Sequence, residues 1–251
     1  MDENRESQPD CLLSVENLKK SYGDKEVLKG ISFKIEKGEI FSLLGKNGVG
    51  KSTTIDCIVG LKNFKDGKIS VCGYDVKKNE IESKSVIGYV PSEPTAYEFM
   101  SGYEYLAFVA SAFHVSQRDY VMNIDYLRKR LQFDNADLLK PIGDYSHGMK
   151  QKICLMASLV HNPKIWILDE PMVGLDVMVA SSLRKMITEF ASNGGAVLLS
   201  SHDIEMVSKI ADEAAILFGG SIATTIDFRK EPFKRKDLNG IFFHINGEDV
   251  R

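Results

Sequence analysis

The sequence has few cysteines and no excess of charge of one sign. Its four cysteines (Cys11, Cys57, Cys72 and Cys154) are scattered, with no C-x-x-C pair and no histidine at ligand spacing. A disulfide framework or a zinc site is therefore not expected, and a reducing compartment is the natural setting. The 32 Lys and Arg residues nearly balance the 35 Asp and Glu residues. Because nucleic-acid-binding domains usually carry a basic surface, no nucleic-acid partner is expected.

The sequence also lacks a long hydrophobic run. A membrane-spanning helix needs about 20 apolar residues, whereas the pure apolar runs, such as residues 165–168, are only as long as a strand. Residues 1–6 are polar and acidic, the opposite of a signal peptide. The 251 residues contain no internal repeat and no clear linker. This length permits one large domain or two small ones, and the chain is expected to be soluble by itself.

Short apolar strands alternate with helical patterns, which predicts an α/β fold with a mostly parallel sheet. Residues 40–44 have the profile of a strand buried on both faces, and they enter a glycine-rich turn. Ser101 and Glu104 match a capping box, which predicts that a helix begins there. Further strands are expected within 12–39, 68–76, 86–90, 165–168, 196–199 and 214–218, and helices over 52–59, 101–115, 119–133, 149–161 and 204–211.

The glycine-rich turn matches the pattern G-x-x-x-x-G-K-[ST] between a strand and a helix. Its glycines let successive N–H groups point into one anion-binding concavity, and the helix adds its positive N-terminal end. Lys51 has the reach for the β- and γ-phosphates, and the Ser52 hydroxyl suits Mg²⁺. Chance would produce the pattern in about one chain in a hundred, so we interpret it as a phosphate-binding loop. The loop consists of Gly45, Lys46, Asn47, Gly48, Val49, Gly50, Lys51, Ser52 and Thr53.

Two adjacent carboxylates, Asp169 and Glu170, end the apolar strand over 165–168. A buried acid is unfavourable unless a cation pairs with it, so Asp169 suits Mg²⁺ through a bridging water. Glu170 then lies where it can polarise a water that attacks the γ-phosphate. The alternative, an acidic pair on a solvated turn, is about even for the dipeptide alone and becomes the weaker interpretation beside a phosphate-binding loop.

From Leu12 to Gly247 the sequence resembles the nucleotide-binding subunit of ATP-binding cassette (ABC) transporters, with the motifs in the family's order. The resemblance identifies residues 45–53 as the Walker A motif and 165–170 as the Walker B motif. It implies a P-loop NTPase (RecA-like) core with an N-terminal antiparallel β subdomain and an inserted α-helical subdomain. The implied divisions are a flexible tail over 1–10, an ABC ATPase domain over 11–247 with the helical subdomain at 92–144, and a C-terminal end over 248–251.

The resemblance also assigns roles to residues outside the Walker motifs. Tyr22 occupies the position of an aromatic residue that stacks on adenine, although a tyrosine at a strand end also fits an ordinary core position. Asp176, in the sequence Gly-Leu-Asp, matches the D-loop at the seam of a dimer. His202 matches the H-loop residue that hydrogen-bonds the γ-phosphate and steadies the attacking water.

Residues 145–149, Tyr-Ser-His-Gly-Met, resemble the LSGGQ signature that contacts the γ-phosphate held by a second subunit. Three of the five letters differ, whereas Ser146 and Gly148, the phosphate-contacting positions, are retained. Ser146 is also a good helix N-cap, which is the structural alternative.

One position departs from the family pattern in a way that affects catalysis. Ser92 stands where the family has a glutamine that contacts Mg²⁺ and water and senses the membrane partner. A serine is shorter and would need a bridging water. Glu93 offers a substitute if the register shifts by one residue. Coupling or rate is therefore expected to differ, while Lys51, Asp169 and His202 remain for ATP binding and hydrolysis.

The resemblance implies an ATPase that powers a membrane transporter, with Glu170 as general base and with Lys51, Mg²⁺ and His202 supplying charge. Two subunits, identical or different, would sandwich two ATP molecules and work with a separate integral-membrane subunit at the cytoplasmic face of a bacterial membrane. The residues of the signature-like motif and the tail over 237–247 favour the ABC-2-type branch of the family, whose members export peptide, drug or lipid. Five aromatic residues either line the groove on this chain where the membrane subunit docks or form a helical core: Tyr97, Phe99, Tyr103, Tyr105 and Phe108.

Two other functions remain open at this point. One is an ABC ATPase that acts on ribosomes or DNA, although such proteins usually carry two cassettes, a coiled coil or zinc motifs. The other is a nucleotide-dependent regulator with weakened hydrolysis, which only Ser92 suggests.

Overall fold

Two β-sheets form the framework of residues 10–247, the part of the chain that this computed structural model describes. The strands are β1 (Cys11–Tyr22), β2 (Lys25–Glu36), β3 (Ile40–Leu44), β4 (Asp66–Val71), β5 (Tyr74–Asp75), β6 (Ile87–Val90), β7 (Ile165–Asp169), β8 (Ala196–Ser201), β9 (Glu213–Phe218) and β10 (Ser221–Asp227). The helices are α1 (Lys51–Ile58), α2 (Glu80–Ser85), α3 (Gly102–Ala112), α4 (Gln117–Arg130), α5 (Asn135–Leu138), α6 (His147–Leu159), α7 (Val177–Ser192), α8 (Ile204–Ile210) and α9 (Lys234–Ile245). The tail predicted over 1–10, apart from Asp10, and the C-terminal end over 248–251 lie outside the described residues.

The larger sheet has six strands in the order β10-β9-β3-β8-β7-β6. All its neighbouring pairs are parallel except β9 and β10, which are antiparallel. The central strand β3 is buried at every position, as its unbroken apolar pattern predicts for a strand covered on both faces. Because the carboxyl ends of β3, β7 and β8 meet at one edge, the loops that follow them lie close together.

The smaller sheet is antiparallel, in the order β2-β1-β4-β5. The hairpin between β1 and β2 turns at Gly23 and Asp24. Tyr22, the last residue of β1, pairs with Lys25 across this hairpin. The two sheets together confirm the predicted P-loop NTPase fold with an N-terminal antiparallel β unit.

Two hydrophobic clusters hold these layers together. One cluster, which includes Ile31, Phe41 and Ile55, joins the antiparallel sheet to β3 and α1. The other joins α3 and α4 to α6 and β7 through residues such as Leu127 and Trp166. The helices inserted after β6 therefore share a core with α6, which fixes α6 relative to the central sheet.

The helix ends show where sequence patterning was right and where it was not. The capping box at α3 is present, with the Ser101 hydroxyl and the Glu104 carboxylate each bonded to the other residue's backbone N–H. The helix ends at Ala112 rather than near 115, since His114 takes a positive φ of 55°. Sequence patterning missed α7, whose first turn carries no acidic residue and whose last turn carries no basic residue.

Candidate active site

The glycine-rich loop joins the end of β3 to the start of α1. Gly50 is the N-cap of α1 with φ 113°, and a Cβ added there would lie 2.6 Å from Leu28 Cδ2. Only glycine suits this turn, because other residues rarely adopt such a φ. The Lys51 ammonium folds back over the loop and donates to the carbonyl oxygens of Gly45, at 2.6 Å, and Lys46, at 3.2 Å. The loop therefore presents a nearly buried cation beside the N-terminus of a helix.

Glu170 follows β7 in a left-handed conformation, with φ 49°. A non-glycine residue held there is strained by about 1–3 kcal/mol. Its backbone N–H donates to the Ser200 carbonyl oxygen, at 3.3 Å, and to the Ser200 hydroxyl, at 3.1 Å. The β8 residue Ser200 thus holds the turn that aims the Glu170 carboxylate.

The structure brings the three predicted catalytic side chains into contact. Glu170 Oε1 lies 3.3 Å from Lys51 Nζ, and Glu170 Oε2 lies 3.0 Å from His202 Nδ1. The Glu170 side chain is mostly buried, whereas His202 is half exposed. A carboxylate held between a lysine and a histidine at the mouth of an anion-binding loop is suited to proton transfer near a bound phosphate.

Asp169 and Ser52 lie next to each other at the end of β7 and the start of α1. The Asp169 carboxylate is 2% exposed and accepts a hydrogen bond from the Ser200 hydroxyl. Burial raises the pKa of the Asp169 carboxyl, and the hydroxyls of Ser200 and Ser52 oppose this shift. A divalent cation held by this carboxylate and hydroxyl would offset the burial, so the pair fits Mg²⁺ chemically.

Ser92 faces the same opening. A cavity of about 300 Å³ lies in front of the loop and is lined by Asn47, Gly48, Gly50, Lys51, Ser52, Thr53, Ser92 and Glu170. Glu93 does not line this cavity, so the one-residue register shift that would bring it there is not observed. The hydroxyl of Ser92 is the side chain that the loop after β6 contributes to the cavity.

A second and larger opening, which we call the lateral groove, lies beside the first. It has a volume of about 770 Å³ and is lined in part by Ser52, Ser92 and Asp169, of which Ser52 and Ser92 also line the first cavity. Its other lining residues are Asp56, Val59, Leu61, Lys84, Ile87, Tyr89, Pro91, Glu93, Thr95, Tyr105, Val109, Phe113, Cys154, Ala157, Ser158 and His161. The groove therefore connects the phosphate-binding loop to α3 and α6.

The signature-like residues lie on a different part of the surface. Ser146 is the N-cap of α6 and accepts from the Met149 N–H at 3.3 Å. A Cβ on Gly148 would lie 2.7 Å from the Gly174 carbonyl oxygen, so the loop before α7 packs directly on the start of α6. Among the described residues, neither Ser146 nor Gly148 lines the cavity around Lys51. Gly148 instead lies against Gly174, in the loop that leads to Asp176.

Asp176 is the N-cap of α7 and accepts from the Val179 N–H at 2.9 Å. That backbone hydrogen bond lowers the pKa of the Asp176 carboxyl. Exposed apolar side chains surround it, namely Val173, Val177 and Met178. An exposed apolar patch beside an N-capped helix is a surface suited to contact with another protein.

Tyr22 is 45% exposed at the end of β1. The ammonium groups of Lys20 and Lys62 lie 5.0 Å and 5.6 Å from the centre of its ring. Lys62 also pairs with Asp56 near the end of α1, at 2.9 Å. Tyr22 is thus accessible and close to α1, but it does not line the cavity in front of Lys51.

Sequence reasoning overlooked Ser200, which bonds to both Asp169 and Glu170. The available signal was a serine directly after the four apolar residues of β8, two residues before His202. It also overlooked Gln151, whose buried side-chain amide donates to the Pro171 carbonyl oxygen at 3.3 Å and joins α6 to the loop after Glu170. Within residues 10–247, no group of three His, Cys, Asp or Glu side chains is arranged to hold a metal, and no helix is long and apolar enough to cross a membrane.

These features define a P-loop nucleotide-binding protein. The sequence model of the ABC transporter family matches residues 28–173. The chain is 35% identical over 221 residues to the linearmycin resistance ATP-binding protein LnrL of Bacillus subtilis, covering 84% of this chain and 68% of that protein. It is 34% identical over 211 residues to the lantibiotic transport ATP-binding protein SrtF of Streptococcus pyogenes, covering 84% and 89%.

A solved structure of an ATP-binding subunit of an ABC transporter superimposes with a TM-score of 0.87 at 28% identity, covering 94% of this chain and 99% of that one. The chain therefore belongs to the ABC transporter family. It is an ATP-binding subunit and an ATPase of that family, as the resemblance predicts.

Proposed function

We propose that this subunit hydrolyses ATP with Glu170 as the base that polarises the attacking water. The observation that carries the proposal is the position of the Glu170 carboxylate between Lys51, at 3.3 Å, and His202, at 3.0 Å. Lys51 exchanges its contact with Glu170 for phosphate oxygens when nucleotide enters the loop. Glu170 is then released to accept a proton from water, while His202 contributes a hydrogen bond at the γ-phosphate.

Ser52 and Asp169 are the residues that would hold Mg²⁺, with Ser92 contributing through a bridging water. When bound, Mg²⁺ neutralises charge on the phosphate oxygens. Ser200 keeps the Asp169 carboxylate oriented toward Ser52 through its hydroxyl. The Walker A residues, Gly45 to Thr53, bind the phosphates through their backbone N–H groups.

The test is Glu170→Gln, compared with Glu205→Gln as a control. Glu205 is an exposed residue of α8 that pairs with Lys209, so its change tests only the loss of a carboxylate. Removing a general base typically costs 10²–10⁴-fold in rate. Glu170→Gln is expected to lose turnover to about this extent and to keep ATP binding, measured by phosphate release and by a fluorescent ATP analogue. Near-normal turnover would exclude Glu170 as the base.

The working form is proposed to be a dimer of nucleotide-binding subunits that sandwiches two ATP molecules. Ser146 and Gly148 of one subunit then contact the ATP held by the other subunit, and Asp176 lies at the seam. The exposed Val177 and Met178 side chains beside Asp176 support this assignment. Glu170→Gln with ATP is expected to elute as a dimer in size-exclusion chromatography with light scattering. A monomer at saturating ATP would argue against the sandwich.

The subunit is further proposed to power an ABC-2-type exporter of peptide, drug or lipid at the cytoplasmic face of a bacterial membrane. The names of LnrL and SrtF, which refer to linearmycin resistance and lantibiotic transport, support this branch. The ATPase domain is taken as residues 11–247, with 92–144 as the helical subdomain. An integral-membrane subunit on a separate chain docks on the lateral groove. Affinity purification from native membranes is expected to recover that subunit, whereas recovery of ribosomes would overturn the transport role.

Ser92 favours one alternative, a nucleotide-dependent regulator with weakened hydrolysis. Its short side chain faces the cavity in front of the phosphate-binding loop, where the family has a glutamine. The ATPase rate with Mg²⁺ separates the two functions, since a regulator would bind ATP but hydrolyse it only weakly. Ser92→Gln is expected to raise the rate of a weak ATPase. The longer side chain would contact Mg²⁺ directly, where serine needs a bridging water.

A further inference from the structure

Glu93 is an exposed carboxylate that lines the lateral groove. Within residues 10–247 it has no hydrogen bond and no ion pair. Its neighbour Ser92 lines both the groove and the cavity in front of the phosphate-binding loop. The carboxylate is therefore available to a partner that sits in the groove.

The backbone around Glu93 is restricted before any partner binds. Pro91 and Pro94 flank Ser92 and Glu93. The ring of Pro91 fixes its own φ, and Pro94 disfavours the helical conformation of Glu93. The preceding strand β6 is packed tightly on α6, since a Cβ on Gly88 would lie 2.2 Å from the Ser158 carbonyl oxygen. Because the backbone at Glu93 is already restricted, less conformational entropy is lost when a partner pairs with its carboxylate.

The other charged groups of the groove are compensated within the chain. Asp56 pairs with Lys62 at 2.9 Å, and Lys84 pairs with Glu80 at 2.5 Å. Asp169 is buried and accepts a hydrogen bond from the Ser200 hydroxyl.

His161 is the histidine that lines the groove, and it stacks on Phe113 with 3.8 Å between ring centres. Burial lowers its pKa, which keeps it neutral near pH 7. Glu93 is therefore the uncompensated charge among the described residues that line the groove.

The walls of the groove are apolar, and an aromatic surface extends them. Leu61, Val109 and Phe113 line the groove itself. Tyr105 lines it as well and contacts Tyr97, whose ring also contacts Phe99 and Phe108. We call Tyr97, Phe99, Tyr105 and Phe108 the aromatic shelf; Phe99 is 79% exposed. The fifth aromatic of the sequence prediction, Tyr103, bonds instead to Asn135.

From this arrangement we propose that the membrane subunit's docking segment combines an apolar side chain with a Lys or Arg that pairs with Glu93. The apolar side chain fills the groove next to the aromatic shelf, and the cation selects the cognate membrane subunit by charge. The inference rests on the proposed transport function and on docking at this groove. It adds the chemistry by which the partner is recognised.

The test uses the complex of the full chain with its own membrane subunit, captured from native membranes through a tag on the chain. Glu93→Lys is compared with Glu16→Lys, which makes the same charge change on the exposed side of β1. At low salt, we expect the Glu93→Lys chain to capture at least about tenfold less of the membrane subunit than the parent chain does. The Glu16→Lys chain is expected to capture the same amount as the parent. Melting temperatures of both variants are expected to stay within about 2 °C of the parent chain.

The decisive step is a charge swap. Each Lys and Arg in the cytosolic segments of the captured membrane subunit is replaced by Glu, one at a time, in combination with Glu93→Lys. One replacement is expected to restore retention. If the Glu93→Lys chain binds as well as the parent, or if no replacement restores binding, the inference is overturned while the transport function stands. If the parent chain retains no integral-membrane protein, the transport function itself fails.

Discussion

Arg229→Met tests how the strand that leads to the phosphate-binding loop is anchored. Arg229 lies after β10, and its guanidinium donates to Glu39 Oε1 at 2.8 Å and to Asp227 Oδ1 at 3.0 Å. Glu213 lies 3.7 Å away. Glu39 is 3% exposed and immediately precedes β3. Removing the guanidinium leaves a buried carboxylate without its cation.

The expected loss of stability follows from this burial. Breaking a buried ion pair typically costs about 3–5 kcal/mol. Arg229 is half exposed, so solvent screening reduces the loss to about 2–3 kcal/mol at neutral pH. For a chain of this length that loss lowers the melting temperature by about 5–10 °C. Lys230→Met is the control, since Lys230 is exposed and pairs with the same Asp227, at 3.0 Å.

The effect of Arg229→Met depends on pH in a defined direction. Burial raises the pKa of Glu39 and of Glu213, and Arg229 partly opposes both shifts. Ionisation of these carboxyls therefore opposes folding, and the penalty appears as pH rises through their folded pKa values. Arg229, in contrast, lowers the pKa of Asp227. The stability that this pair contributes is present above the unfolded pKa of Asp227, so Arg229→Met removes it equally at about pH 5 and at about pH 7.5. The loss of stability is expected to be larger at about pH 7.5 than at about pH 5.

Thermal unfolding at the two pH values measures this difference directly. Adding Glu39→Gln to Arg229→Met is expected to recover much of the loss at about pH 7.5, because the amide removes the unpaired charge. A loss below about 1 kcal/mol at neutral pH, or a larger loss at about pH 5, would refute the reasoning.

Two further predictions concern the proposed nucleotide contacts. Tyr22→Ala is expected to weaken ATP binding about 5- to 150-fold, as stacking on a base contributes about 1–3 kcal/mol; titration with a fluorescent ATP analogue checks this, and an equal loss in the exposed Tyr74→Ala would remove the assignment. Gly148→Ala is expected to abolish ATP-driven dimerisation while sparing ATP binding by the monomer, because its Cβ would lie 2.7 Å from the Gly174 carbonyl oxygen and displace the loop; light scattering with ATP checks it, and normal dimerisation would contradict it.

The sequence was sufficient to predict the strands and turns that neighbouring residues determine. The run at β3 is apolar at nearly every position and ends in glycines, so burial and turn chemistry both indicate a strand followed by a phosphate-binding loop. The sequence did not reveal α7, because the helix carries no acidic residue in its first turn and no basic residue in its last turn. Nor did it reveal the Glu170 contacts with Lys51 and His202, since these three residues are far apart in the chain and meet only when β3, β7 and β8 lie side by side.

The roles of Ser92 and Glu93 could be separated only with the structure. The sequence left open which of the two serves the catalytic cavity, since a one-residue shift exchanges the sides on which neighbouring side chains lie. In the structure Ser92 lines the cavity in front of Lys51, and Glu93 lines the lateral groove. The replacement of glutamine by serine is therefore expected to affect hydrolysis, whereas the adjacent carboxylate is proposed to affect the choice of partner. Because one peptide unit joins them, a partner that pulls on Glu93 also moves Ser92, and the rate of ATP hydrolysis should change when the membrane subunit docks.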